Sequence, residues 1–150
     1  MTFFRRFFRF LFVLSLSLTG QNVLASVPFV RNYTPAAYDA GAQNWAVAQD
    51  QLGRMYFGNR EGLLIYDSRQ WELLHVPNYS TVRTIHIDSI SDRIYVGASE
   101  EFGYFRLDSL TGKRTYQSLV PTIEKPAPSF TEIWNIHVSP DGTYWFQGDY

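Results

Sequence analysis

The groups through which this 150-residue chain can do chemistry are its 14 acidic residues, its three histidines and a scatter of tryptophans and phenylalanines; there is no cysteine. Hydrolysis of a glycosidic bond needs two carboxyl groups facing one another across a sugar. Glu100 and Glu101 are adjacent, and on a strand neighbouring side chains point to opposite faces, so they form no such pair. Asp50, Asp67, Asp88, Asp92, Asp108 and Asp141 recur in turn-like contexts, where aspartate accepts backbone N–H groups and bends the chain, and they read as structural. His86 and His137 occupy the same place in "IHI" and "IHV", a conceivable metal pair, but no third ligand is in view. They read as polar residues on one strand face, and His75 is isolated. Phosphate loop, nucleophile elbow and metal box are all missing from the sequence. The reading therefore assigns no catalytic residue, no metal ligand and no cofactor. Trp45, Trp71, Trp134, Trp145 and the aromatic cluster at 102–105 are suited to stacking on sugar rings, but at strand positions they are expected to pack between sheets.

What holds these groups is a repeat. "WAVAQDQLGRMYFG" (45–58), "VRTIHIDSISDRIYVG" (82–97) and "WNIHVSPDGTYWFQG" (134–148) each run from an alternating apolar strand, through a turn rich in Asp, Ser or Gly, to an aromatic-centred strand. Gly53 and Gly142 supply the left-handed backbone that tight hairpins need. Two copies continue into a further hairpin, 62–76 with a turn at 67–70 and 101–119 with a turn at 108–112. Four antiparallel strands in about 40 residues, repeated, spell the blade of an all-β propeller, with a β-sandwich as the competing architecture. The blades fall at about 44–80, 81–120 and 131–150, the last cut short. A closed propeller takes roughly four to eight blades, so about two and a half predict the N-terminal part of an incomplete propeller. "VPTIEKPAPSFTE", with Pro121, Pro126 and Pro128, reads as a longer loop between blades. "VRNYT" at 30–34 resembles "VPNYS" at 76–80, which closes the outer strand of the first blade. On that match, 27–33 is expected to be an outer strand belonging to a different blade. Asn32 and Asn78 sit in glycosylation sequons that the repeat itself explains.

Residues 1–25 have the three parts of a secretory signal peptide: Arg5, Arg6 and Arg9, an apolar run at 10–18 and a small-residue cleavage pattern, placing the cut between Ala25 and Ser26. That run is short for a membrane span. Three of the 13 basic residues lie there and none of the 14 acidic ones, which leaves 26–150 with 10 basic against 14 acidic side chains. Such a segment offers no basic patch to a phosphate backbone, which speaks against nucleic-acid binding. Without cysteine, an exported domain has no disulfides and its core holds the fold unaided.

Asp50, Gly53, Tyr56, Gly58, Gly62, Leu63, Tyr66 and Asp67 together resemble the blade repeat of the two-component regulator propeller family; Tyr95, Gly97, Asp141 and Gly142 extend the pattern into the later copies. The second copy departs from it at "EEFGYFRLD", and the resemblance spans roughly 27–150. It implies the periplasmic sensor propeller of a hybrid histidine kinase or of a triple-tyrosine LuxR-type regulator, the latter branch being the nearer. The implied protein is inner-membrane anchored and detects a small ligand such as an oligosaccharide. It signals through kinase or DNA-binding output domains that these residues do not include. A carbohydrate-active propeller enzyme and a secreted protein-binding scaffold are the competing functions.

Overall fold

The computed structural model describes residues 28–124 and 129–149. The expected signal peptide and its Ala25–Ser26 cut lie outside the described residues, as do Pro126 and Pro128 of the proline-rich loop. The chain divides into Met1–Asn32 and Tyr33–Tyr150; of the first, residues 28–32 carry no helix or strand.

The second unit is all-β and antiparallel. β1 (Asn44–Gln49), β2 (Met55–Asn59), β3 (Gly62–Tyr66) and β4 (Trp71–Leu74) form one four-stranded meander. β5 (Val82–Asp88), β6 (Arg93–Ala98), β7 (Glu101–Leu107) and β8 (Arg114–Ser118) form a second. β9 (Ile133–Val138) and β10 (Tyr144–Gly148) pair as a third. A one-turn helix, α1 (Pro35–Tyr38), precedes β1, and a 3-10 turn spans Val120–Thr122.

Alternation sorts the side chains of each meander onto two faces. One face of the first sheet gives Tyr56, Leu63 and Ile65, which meet Ile94, Val96 and Phe105 of the second in the main core. The opposite face of the second sheet takes the third, with Tyr95 stacked on Tyr144 at 4.1 Å between centroids. Two glycines set how closely the sheets approach. A Cβ at Gly58 would lie 2.7 Å from the Val82 carbonyl oxygen, and one at Gly97 would lie 2.4 Å from Ile133 Cγ2. The remaining face of the first sheet is covered by Tyr33 and Tyr38, whose rings sit 5.2 and 5.3 Å from Trp71, itself stacked on Tyr66 at 4.4 Å. The lead strands lie side by side, β1 against β5 and β5 against β9.

Three expectations need correction. The match of 30–34 to 76–80 does not carry a strand: β4 ends at Leu74, and 76–80 is a turn closed by the Tyr79 N–H on the Val76 carbonyl. Pro77 has no N–H to give a ladder, and the Asn78 amide donates to the Ser99 carbonyl instead. Residues 28–33 likewise form no strand. Glu100 and Glu101 do not share a strand either, since Glu100 turns with φ 54° between β6 and β7 while Glu101 is buried at the start of β7. Finally, Gly148 is not the counterpart of Gly58 and Gly97. Phe57 faces Val47 and Phe146 faces Ile136, so Gln147 takes that place and Gly148 matches Asn59 and Ala98.

The aspartates lie at turns. Asp50 accepts from the Leu52 and Arg54 N–H groups, and from the Arg54 side chain and Tyr56 hydroxyl. Asp67 accepts from Arg69 and Gln70, Asp108 from Leu110 and Thr111, Asp141 from Thr143. Asp88 joins two sheets: besides the Ile90 N–H and the Ser91 hydroxyl, it accepts the Tyr144 hydroxyl at 2.9 Å. The Ser91 hydroxyl, with the Ile90 N–H and the Tyr144 hydroxyl, outweighs desolvation and lowers the Asp88 carboxyl to about 2. Tyr144 shifts upward, through desolvation and its bond to Asp88. A carboxylate held below its unfolded value stabilises the fold above about pH 4 and loses that contribution as pH falls toward 2. Asp88→Asn is therefore expected to flatten part of the decline in Tm between pH 4 and 2; an identical acid limb in the variant would assign that decline to the other turn aspartates.

Candidate functional site

Each lead strand contains one residue more than its partner needs. Asn44 pairs with Asn59 and Ala46 with Gly58, so Trp45 is extra; Val82 pairs with Ala98 and Thr84 with Gly97, leaving Arg83; Ile133 pairs with Gly148 and Asn135 with Gln147, leaving Trp134. A bulge re-aims the side chain it carries. Because the three lead strands are neighbours, three bulges at one position bring their side chains together.

Arg83 is the centre of the group. Its guanidinium carbon lies 4.0 Å from the Trp45 ring centroid and 5.0 Å from that of Trp134, and the two indoles meet edge to face at 6.3 Å. Each such cation–π contact contributes about 0.5–2 kcal/mol, depending on desolvation. Nε and Nη2 donate to the two carboxylate oxygens of Glu132, both at 3.0 Å. The Ser99 hydroxyl lies 2.8 Å from each of the same oxygens. The Arg83 hydrogen bonds lower the Glu132 pKa, against desolvation and with help from Ser99. Arg83 Nη1 is buried and has no hydrogen-bond partner among the described residues.

The supports around this centre are polar and specific. Buried Asn59 donates to the Asn44 side chain (2.8 Å) and to the Gly41 carbonyl (2.6 Å), fixing the start of β1 beside Trp45. The Trp134 indole N–H points to Asp149 Oδ2 at 3.3 Å. Asp149 Oδ1 accepts from the Thr131 hydroxyl and the Glu132 N–H, the first of which chiefly lowers its pKa. Trp45 and Trp134 remain 44% and 41% exposed, so the cluster presents two indoles to solvent over an arginine whose charge is already matched. Such a surface can stack a ring.

Of the residues singled out from sequence, Trp45 and Trp134 lie in this cluster, while the repeat-motif residues are distributed around it. Tyr56 and Leu63 lie in the core, Tyr66 in the aromatic cover and Tyr95 between the second and third sheets. Gly53 and Gly142 take positive φ in turns, and Gly62 takes it as the first residue of β3. His86 rests edge-on against Tyr144, His137 is exposed, and no group of three or more metal-ligating side chains occurs among the described residues. Trp71 packs under Tyr33 and Tyr38 rather than between sheets, and Trp45, Trp134 and Trp145 are exposed. Arg83 and Glu132 were not singled out from sequence. The signal for Arg83 was present: it stands five residues before Asp88, as Trp45 stands five before Asp50 and Trp134 five before Ser139. Among the described residues no helix is long and apolar enough to cross a membrane. No family model, no curated protein and no solved structure matches the chain.

Proposed function

We propose that this chain is the N-terminal part of an exported β-propeller that senses a small ligand and regulates signal transduction or transcription through kinase or DNA-binding output domains. The observation that carries the reading is the repeated bulge: three sheets of like plan, lead strands side by side, each send the same extra residue into one half-exposed cluster. Bulges of this kind are enriched beside functional sites. A cluster of indoles and a charge-matched arginine is suited to binding a ring and not to turning it over. Four-stranded meanders packed face to face support the propeller architecture.

A chromosomal Trp45→Ala/Trp134→Ala variant tests it. The expected result is loss of a ligand-dependent change in transcripts, with the exported protein present at its normal level. Unchanged transcripts would overturn the sensor reading, and release of product from an oligosaccharide by the purified chain would replace it with the hydrolase.

A further inference from the structure

A second concavity lies on the seam between the second and third sheets, beside the cluster above. It measures about 170 Å³, and its walls are Phe102, Phe130 and Phe146 with Ile133, while Gly148 and Asp149 stand at the β10 end. The rings meet obliquely, Phe102 to Phe146 at 4.7 Å and Phe102 to Phe130 at 5.8 Å. Gly148 keeps this end open: a Cβ there would come within 3.0 Å of Ile133 Cδ1 and of the Glu132 carbonyl. The volume is near the roughly 150 Å³ of an apolar cavity that accepts benzene, so it suits one six-membered ring.

Charge selects what the ring carries. Asp149 is the ionisable side chain in the lining, and it is exposed. Its Oδ1 is engaged by Thr131 and Glu132, but among the described residues its Oδ2 receives only the long 3.3 Å contact from the Trp134 indole. A carboxylate oxygen accepts two hydrogen bonds, which leaves Oδ2 capacity for a second donor. Among the described residues Asp149 forms no ion pair, and Arg83 is taken by Glu132, so Oδ2 is the charged acceptor that this lining offers a cation.

We propose that this cavity is a binding site for an arylalkylammonium ligand, its ring among Phe102, Phe130 and Phe146 and its ammonium donating to Asp149 Oδ2. The assignment does not depend on the sensor reading, and its test uses only the purified full chain. Calorimetric titration with 2-phenylethylammonium is expected to saturate with an affinity of about millimolar, in keeping with so few ligand atoms. The anion 3-phenylpropanoate, with the same phenylethyl stem, is expected to bind at least about fivefold more weakly, the upper range for an exposed ion pair, and propylammonium not at all. Asp149→Asn should abolish the preference between the two phenyl probes, and Phe130→Ala should weaken both with the far-ultraviolet circular dichroism unchanged. If Asp149→Asn does not fold, the same preference in the unaltered chain must shrink between low and high salt. Absence of saturation, equal binding of the anion, or a preference indifferent to both Asp149→Asn and salt overturns the proposal.

Discussion

Gly58→Val is expected to cost about 3 kcal/mol, the upper range for overpacking a closely packed core. A Cβ at this position already falls 2.7 Å from the Val82 carbonyl oxygen and 3.2 Å from the Ala46 Cβ. The obstruction on one side is backbone of the next sheet's lead strand, which no rotamer change removes. Relief requires β5 to move off β2, and with it the Tyr56–Ile94–Phe105 core. Urea unfolding should show the midpoint falling steeply, and core residues on both sheets should lose protection together. A Gly58→Val chain of normal stability would mean that the two sheets do not approach as closely as described, and the face-to-face packing behind the propeller reading would go with it.

Arg83→Met is expected to destabilise the fold by about 2 kcal/mol, between the values for a fully buried pair and an exposed one. The arginine and Glu132 side chains are 15% and 19% exposed, and methionine leaves the carboxylate with the Ser99 hydroxyl as its nearest donor. Met retains the apolar stem, so the loss isolates the guanidinium. Glu132→Gln in the same chain should restore part of it, since the uncompensated charge disappears. The indole emission of Trp45 and Trp134 should shift as the cation between them is lost. If the single and double variants are equally unstable, the coupling between Arg83 and Glu132 contributes nothing beyond packing.

The meanders were legible because a two-residue period and Asp–Gly turns are local signals. Asp50, Asp67 and Asp108 act within a few residues of themselves, so their roles could be read without tertiary information. Gly58 and Gly97 were found as repeat positions, but their reason is a neighbouring sheet, which no local pattern contains. The site was legible only in its aromatic half. Trp45 and Trp134 drew attention by type and were expected to be packing, because an indole on a strand is ordinarily buried; a bulge turns them outward. Arg83 and Glu132 are 49 residues apart and become a pair only when β5 and β9 meet. The 30–34 match misled for a different reason: its Asn-Tyr suits a turn as well as a strand end, and the turn prevailed at 76–80.

The bulge position has a consequence for how such a chain can change. Trp45, Arg83 and Trp134 stand opposite no partner in their ladders, so strand pairing places no demand on their chemical type. Every other lead-strand residue answers to a facing backbone or a packed neighbour. Here the same slot already accommodates two indoles and a guanidinium on the same scaffold. Selection can therefore rewrite what the indole positions recognise one side chain at a time, and Arg83 together with Glu132, while register, turns and sheet spacing are inherited intact.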